Sequence, residues 1–363
     1  MVQVFLKTIF CGKPGWLLVC AMALALAQGA AAKSPKPQPA VVPELQLEGG
    51  RRLTFERSFW SEREVKLKRG FWSKLIDIVA GEPEFHGLVS PYGVVTDAHD
   101  RIIVTDPAAG GIHIFDFGQQ KYKFISRDKE KDGLQTPQCV AVDAADNIYA
   151  TDSESGKIFI FEPSGKFQRV IGSLKGGEGF FKRPTGIAVD SQAQRIYVTD
   201  TLRNQIFVLD MQGSVLQTIG KSGAGNGEFN FPTELRLYGD NLIVVDAMNF
   251  RVQVLDRSGN FRYAIGRVGE ERGEMFRPKG VGVDSEGHLY VVEGLSGLVQ
   301  VFDQEGNLLY YFGQKGTGFG EFQLPTGLFI DRNDRVFVVD SYNRRVQVFR
   351  YFGLAKQAEG VKH

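Results

Sequence analysis

The segment Val336–Phe349, "VFVVDSYNRRVQVF", holds two apolar strand-like runs, Val336–Val339 and Val346–Phe349, joined by a polar turn. The same construction stands about forty-seven residues earlier as "LYVVEGLSGLVQVF", and before that as "LIVVDAMNFRVQVL", "IYVTDTLRNQIFVL" and "IYATDSESGKIFIF". Each earlier copy is followed by one more strand-like run, such as "NLLYYFG" after Phe302, whereas the last copy reaches Tyr351 with little chain left. The final unit is therefore one strand short in sequence order. How that deficit is met decides how the fold closes.

Working outward, the prolines set the period: Pro91, Pro137, Pro184, Pro232, Pro278 and Pro325 are spaced 46, 47, 48, 46 and 47 residues apart. An acidic residue ending the second run keeps step at Asp106, Asp152, Asp200, Asp246, Glu293 and Asp340. Strand-length runs separated by turn residues at this interval predict four-stranded antiparallel units. Six of them arranged radially bury both sheet faces against their neighbours. The expected fold is all-β, a six-bladed β-propeller of four-stranded antiparallel blades.

The missing strand is sought at the other end of the chain. "RRLTFERSFW", Arg51–Trp60, resembles the edge runs "NFRYAIG" and "KFQRVIG" and has no blade of its own. It is expected to complete blade 6, since an open ring would leave an unpaired edge. Burying Leu53, Phe55 and Phe59 at about 1.5–3 kcal/mol each would supply several kcal/mol. The propeller then spans residues 51–352, with 353–363 as a tail.

The residues carrying the period, P-x-G-[VI]-A-V-D followed by [IL]-Y-V-x-D and N-x-[RQ]-[VI]-x-V-[FL], resemble the NHL repeat, in a protein of exported bacterial type. The resemblance runs from Leu88 to Phe349. Blade 4 departs most, with Glu234 where other blades carry Gly or Cys139, and Tyr238 where others carry Asp. Blades 1, 2 and 5 lack the Asn of the second turn.

The N-terminus is different in kind. Lys7 and Lys13 precede an apolar run from Trp16 to Ala27, and "QGAAAKSPKP" follows. This order reads as a secretory signal over residues 1–32, cut after Ala32. Cys20 leaves a lipoprotein reading open, and an uncleaved anchor is the other alternative. Residues 33–50 read as a Pro-rich linker. Cleavage would remove two lysines and no acid, turning a formal charge of +1 into −1, and would leave Cys139 as the single thiol. The balance of 43 basic and 42 acidic residues argues against a nucleic-acid partner. The expected location is extracytoplasmic, periplasmic or secreted, with membrane contact only if the N-terminus is retained or lipidated.

Chain direction separates the two ends of the cylinder. The prolines, the residues after them, the six carboxylates and the inter-blade loops gather at one end; short turns such as "DSEGH" and "DRNDR" gather at the other. Loops on a rigid scaffold are where binding concentrates. The residues after the prolines (Tyr92, Gln138, Thr185, Thr233, Lys279 and Thr326) form the candidate rim. The carboxylate ring reads as structural, each acid bonding the following turn. Leu88, Leu134, Phe181, Phe229, Met275 and Phe322, each three before a proline, read as inter-blade packing. Glu234 and Arg236 break the repeat on an innermost strand, and either pair with each other or meet a ligand in the channel. Phe71, Trp72, Leu75, Ile76 and Val79 recur at helical steps before blade 1, which predicts a short amphipathic helix with Trp72 at the rim.

Some propellers that the resemblance brings to mind are enzymes. Zinc-dependent lyases of the NHL group need several converging histidines. Strand direction places His99 and His288 in the short turns, His86 at the opposite end and His113 on a third strand, so a channel site is not expected. Lactonase-type propellers need Glu, Asn and Asp on several inner strands, where this chain carries mostly Gly, Ala and Val. No catalytic, metal or cofactor set is expected. The reading is a non-catalytic interaction module for a protein, peptide or glycan, the alternative an enzyme of lyase or lactonase type acting at the channel.

Overall fold

The computed structural model describes residues 44–65, 85–126 and 133–354. The signal, most of the linker, the expected helix with Trp72, and the tail beyond residue 354 lie outside these residues. Among the described residues, no helix is long and apolar enough to cross a membrane.

Six antiparallel sheets follow one another along the chain. Blade 3 is representative: Pro184–Asp190 is innermost, Arg195–Asp200 and Gln205–Asp210 follow, and Val215–Ile219 is outermost. The first three strands are almost wholly buried and the outer strand alternates, because inner strands face neighbouring blades on both sides. The core consists of six apolar clusters, one between each pair of adjacent blades. Leu88, Leu134, Phe181, Phe229, Met275 and Phe322 are all buried within them, as the period implied.

Ring closure follows the expectation. Arg52–Phe59 pairs antiparallel with Arg345–Phe352, matching Leu53 to Tyr351 and Phe59 to Val346. Leu53 and Phe59 are buried, while Phe55 is partly exposed and packs on Phe319 and Phe349. The structure adds one feature. Part of the segment read as linker, Glu44–Gln46, forms a fifth strand on Arg52–Phe59, with Leu45 opposite Leu53. The linker reading therefore fails for 44–46: Leu45 and Leu47 pack against the cluster between blades 5 and 6.

One irregularity positions the candidate rim. In blades 2–5 the pairing of the innermost and second strands shifts register just after the proline, as between Pro184 and Ile187 or Pro278 and Val281. A bulge frees two residues from the ladder and re-aims their side chains. Those residues are Gln138–Cys139, Thr185–Gly186, Thr233–Glu234 and Lys279–Gly280. The second of each pair abuts the next blade. A Cβ on Gly186 would stand 2.7 Å from the Thr233 carbonyl oxygen, and one on Gly280 2.5 Å from that of Thr326. Close backbone approach, not turn geometry, requires glycine at these two positions.

Candidate binding face at the proline end of the channel

The six ring carboxylates are committed to backbone. Asp106 accepts from the amides of Val89, Ser90 and Ala109, and Asp152 from those of Gln135, Thr136 and Ser155. Asp246 and Asp340 add a complete side-chain set: Asn249, Arg251 and Gln253 on the first, Asn343, Arg345 and Gln347 on the second. Glu293 is the exception. Ser296 and Leu298 stand where the other two blades carry Asn and Arg, and both Glu293 Oε1 and Ser296 Oγ are buried without a hydrogen-bond partner. Burial pushes the Glu293 carboxyl up to about 7, with the amides of Arg277 and Phe276 opposing.

The residues after the prolines divide by what their own second strand offers. Thr185 Oγ1 meets the hydroxyls of Thr199 and Thr201 and donates to the Thr233 carbonyl at 2.8 Å. Gln138 donates to Ser153 Oγ at 3.2 Å, and Thr326 to the Tyr92 carbonyl at 3.0 Å. These three are tied into the ring. In blade 4, Val245 and Ala247 replace Thr199 and Thr201, so Thr233 Oγ1 is buried with no partner. In blade 5 the corresponding residues are Val292 and Gly294, and Lys279 is partly buried with no ion pair among the described residues.

Glu234 and Arg236 pair with each other. Arg236 also donates to the Leu328 carbonyl at 2.9 Å and lies 5.6 Å from the Phe329 ring centroid. Leu328 belongs to the innermost strand of blade 6, so the guanidinium crosses the channel from blade 4 past blade 5. Burial raises the Glu234 carboxyl and Arg236 opposes that rise. Tyr92 packs against the blade 2–3 cluster beside Cys139, and burial drives up both the Tyr92 phenol and the Cys139 thiol.

Two further cations belong to this end. Arg183 and Arg277, each immediately before a proline, are exposed and unpaired among the described residues. Burial, then Arg277 and Arg183, pull the Lys279 ammonium below its ordinary value. The other residues before the prolines are Ser90, Thr136, Phe231 and Leu324, so the basic pair is a departure visible in the sequence itself. Large apolar side chains are also exposed around this end: Leu202, Phe231, Met248, Phe276, Leu324 and Tyr342. Phe231 and Leu324 hold positive φ of 56° and 46°, a region costly for bulky residues.

At the opposite end four turn carboxylates are engaged. Asp97, Asp143, Asp284 and Asp331 each accept amides two and four residues on, and then the side chain at the fourth: Arg101, Asn147, His288 or Arg335. Asp97, His99 and Asp146 bring possible ligand atoms within 4.8 Å of one another. Their carboxylates already accept from the Ala98, His99 and Arg101 amides and from the Arg101 guanidinium, which is the chemistry of a turn. His99 and His288 lie in the short turns, as chain direction implied. His86 and His113 both pack on Tyr122 and Phe124 of the outer strand of blade 1. A separate cleft of about 770 Å³ at the outer rim is lined by Leu45, Leu53, Tyr310 and Phe349 among others.

Comparison with known proteins agrees with the repeat. The NHL repeat matches residues 322–349, and a 6-bladed β-propeller family matches residues 189–237. The chain is an NHL-repeat, six-bladed β-propeller. No curated protein matches it by sequence. Among solved structures, a streptogramin B lyase superposes on the propeller with TM-score 0.53 at 14% identity, covering 73% of this chain and 94% of that one. An auxiliary nutrient binding protein from Bacteroides thetaiotaomicron gives 0.56 at 13% identity, covering 73% and 70%. A catalytically inactive virginiamycin B lyase from Staphylococcus aureus with quinupristin gives 0.52 at 14%, covering 73% and 84%. At these identities the likeness is one of fold, shared by lyases and a binding protein alike.

Proposed function

We propose that this propeller is a non-catalytic, extracytoplasmic interaction module whose proline end binds an acidic, partly apolar segment of another protein. The observation carrying this reading is the unequal commitment of the two ends. Four short turns engage their carboxylates with their own amides and side chains, while the proline end leaves Arg183, Arg277 and Lys279 unpaired beside an exposed apolar rim. Exposed apolar side chains rimmed by polar groups mark interaction surfaces. Unpaired cations select an acidic partner by charge complementarity. The signal-like N-terminus supports the extracytoplasmic location. A non-catalytic role is supported by the channel residues: Glu234 and Arg236 are engaged with each other and with blade 6, and the Cys139 thiol is held in its un-ionised form by burial.

A photo-crosslinking side chain at Tyr342 (proline end) or Ala145 (short-turn end), exposed to envelope extract of the native host, tests this. Adducts are expected at Tyr342 and not at Ala145, with peptide mapping giving acidic partner segments. Adducts confined to Ala145 would put recognition at the short-turn end, and a glycan adduct at Tyr342 would replace the peptide reading.

A further inference from the structure

We propose that the proline-end mouth of the channel is an oxyanion site, in which Lys279, with Arg183 and Arg277 at the same end, receives a carboxylate or phosphate group, and the Tyr92 hydroxyl is a neutral donor. The inference deepens the interaction-face reading and rests on the choice of end made there.

Three independent features build the site. First, the bulges after Pro232 and Pro278 set Thr233 and Lys279 on neighbouring inner strands, outside the ladder. Second, Lys279 is partly buried and makes no ion pair among the described residues, and Arg183 and Arg277 at the same end are unpaired as well. Third, the stem of Lys279 has room because of one glycine. The residues following the ring carboxylates are Pro107, Ser153, Thr201, Ala247, Gly294 and Ser341, and a Cβ on Gly294 would stand 3.2 Å from Lys279 Cγ. Gly294 has no positive φ, so the Lys279 stem, not a turn, is what its missing side chain accommodates.

The electrostatics agree. Arg183, Arg277, Lys279 and Tyr92 each adjoin a proline of the same end, and the two arginines bear on both the Lys279 ammonium and the Tyr92 phenol. Like charges gathered in a partly desolvated place without a counter-charge oppose folding. Such arrangements are characteristic of functional sites. The nearest carboxylates do not neutralise them: Glu234 is taken by Arg236, and Glu293 is buried without an ionic partner. An incoming oxyanion would supply the missing charge and accept from the Tyr92 hydroxyl, as charge-assisted hydrogen bonds favour.

The test titrates the protein with inorganic phosphate and, in a second arm, with succinate, against sodium chloride at equal ionic strength. Thermal midpoint is followed, together with per-lysine acetylation by mass spectrometry. Either oxyanion is expected to raise the midpoint saturably and to protect Lys279 several-fold while leaving the exposed Lys166 unprotected. Response to succinate alone assigns a carboxylate source, and response to phosphate alone a phosphoryl source. Lys279→Met should abolish the midpoint rise, and Gly294→Ala should weaken it by displacing the lysine stem; Lys166→Met should leave it unchanged. A rise that survives Lys279→Met, or no protection by either ion, overturns the proposal. If neither ion binds but crosslinking at Tyr342 persists, the oxyanion site falls and the interaction-face reading stands.

Discussion

The two ends of this propeller carry similar residue types and use them differently. At the short-turn end a carboxylate and its partner lie four residues apart on one turn, as with Asp97 and Arg101 or Asp331 and Arg335. Local geometry therefore brings them together whatever the rest of the chain does. At the proline end the acids are consumed by backbone amides and by the nearby Arg203, Arg251 and Arg345, while Arg183, Arg277 and Lys279 sit before or after prolines on different blades. Nothing local neutralises those cations. Similar residue types thus yield short turns whose charges hold the fold and, at the proline end, three cations that remain available. Stabilising and recognising are separate uses of charge, told apart by whether the partner is nearby in sequence.

The comparison depends first on a closed ring. Deleting Arg51–Trp60 should lower stability by several kcal/mol, because it removes Leu53 and Phe59 from the closing blade. Deleting 33–43 should not. Thermal unfolding of the two truncations side by side decides the matter, and equal midpoints would show that the closing strand is dispensable.

The next effect contrasts the ends directly. Asp97→Ala strips the acceptor from two amides and from the Arg101 guanidinium and should cost about 1–3 kcal/mol. Lys279→Met, at the other end, should be neutral or stabilising, since it removes an unpaired and partly buried charge. Chemical denaturation measures both. A larger loss at Lys279 than at Asp97 would break the contrast.

Within the proline end, blade 5 departs from blades 4 and 6. The Glu293 carboxyl, with an ordinary value of 4.5, is raised to about 7 in the folded state. Its contribution is therefore complete below about 4.5 and is lost as pH rises towards about 7, on the order of 3 kcal/mol. Glu293→Gln should flatten that part of the stability profile relative to the parent. The pair Ser296→Asn and Leu298→Arg should flatten it as well, by rebuilding the set seen around Asp246 and Asp340. An unchanged profile in both variants would mean that Glu293 does not titrate in this range.

The smallest expected effect on folding is at the rim. Tyr342→Ser and Met248→Ser should change stability by no more than about 0.5 kcal/mol, because both side chains are exposed. Both should weaken capture of the partner identified by crosslinking. A large folding defect would make the rim a structural surface and remove it from the argument.

Much of this molecule was determined by the sequence alone. The proline period, the apolar residue three before each proline and the acid ending each second strand specify blade number and strand order, because every blade repeats one local pattern. Ring closure was legible too, since the last unit lacked a strand and Arg51–Trp60 had no other place. The fifth strand at Glu44–Gln46 was not: three residues beside a proline-rich stretch carry no period of their own. Only the tertiary structure decided which rim residues are free. Thr185 and Thr233 are the same residue at the same register, yet one meets two hydroxyls and the other none, because Val245 and Ala247 have replaced Thr199 and Thr201. The pairing of Arg236 with blade 6 needed the closed ring as well. Residues on different blades become neighbours across a channel only when the sheets are wrapped around it.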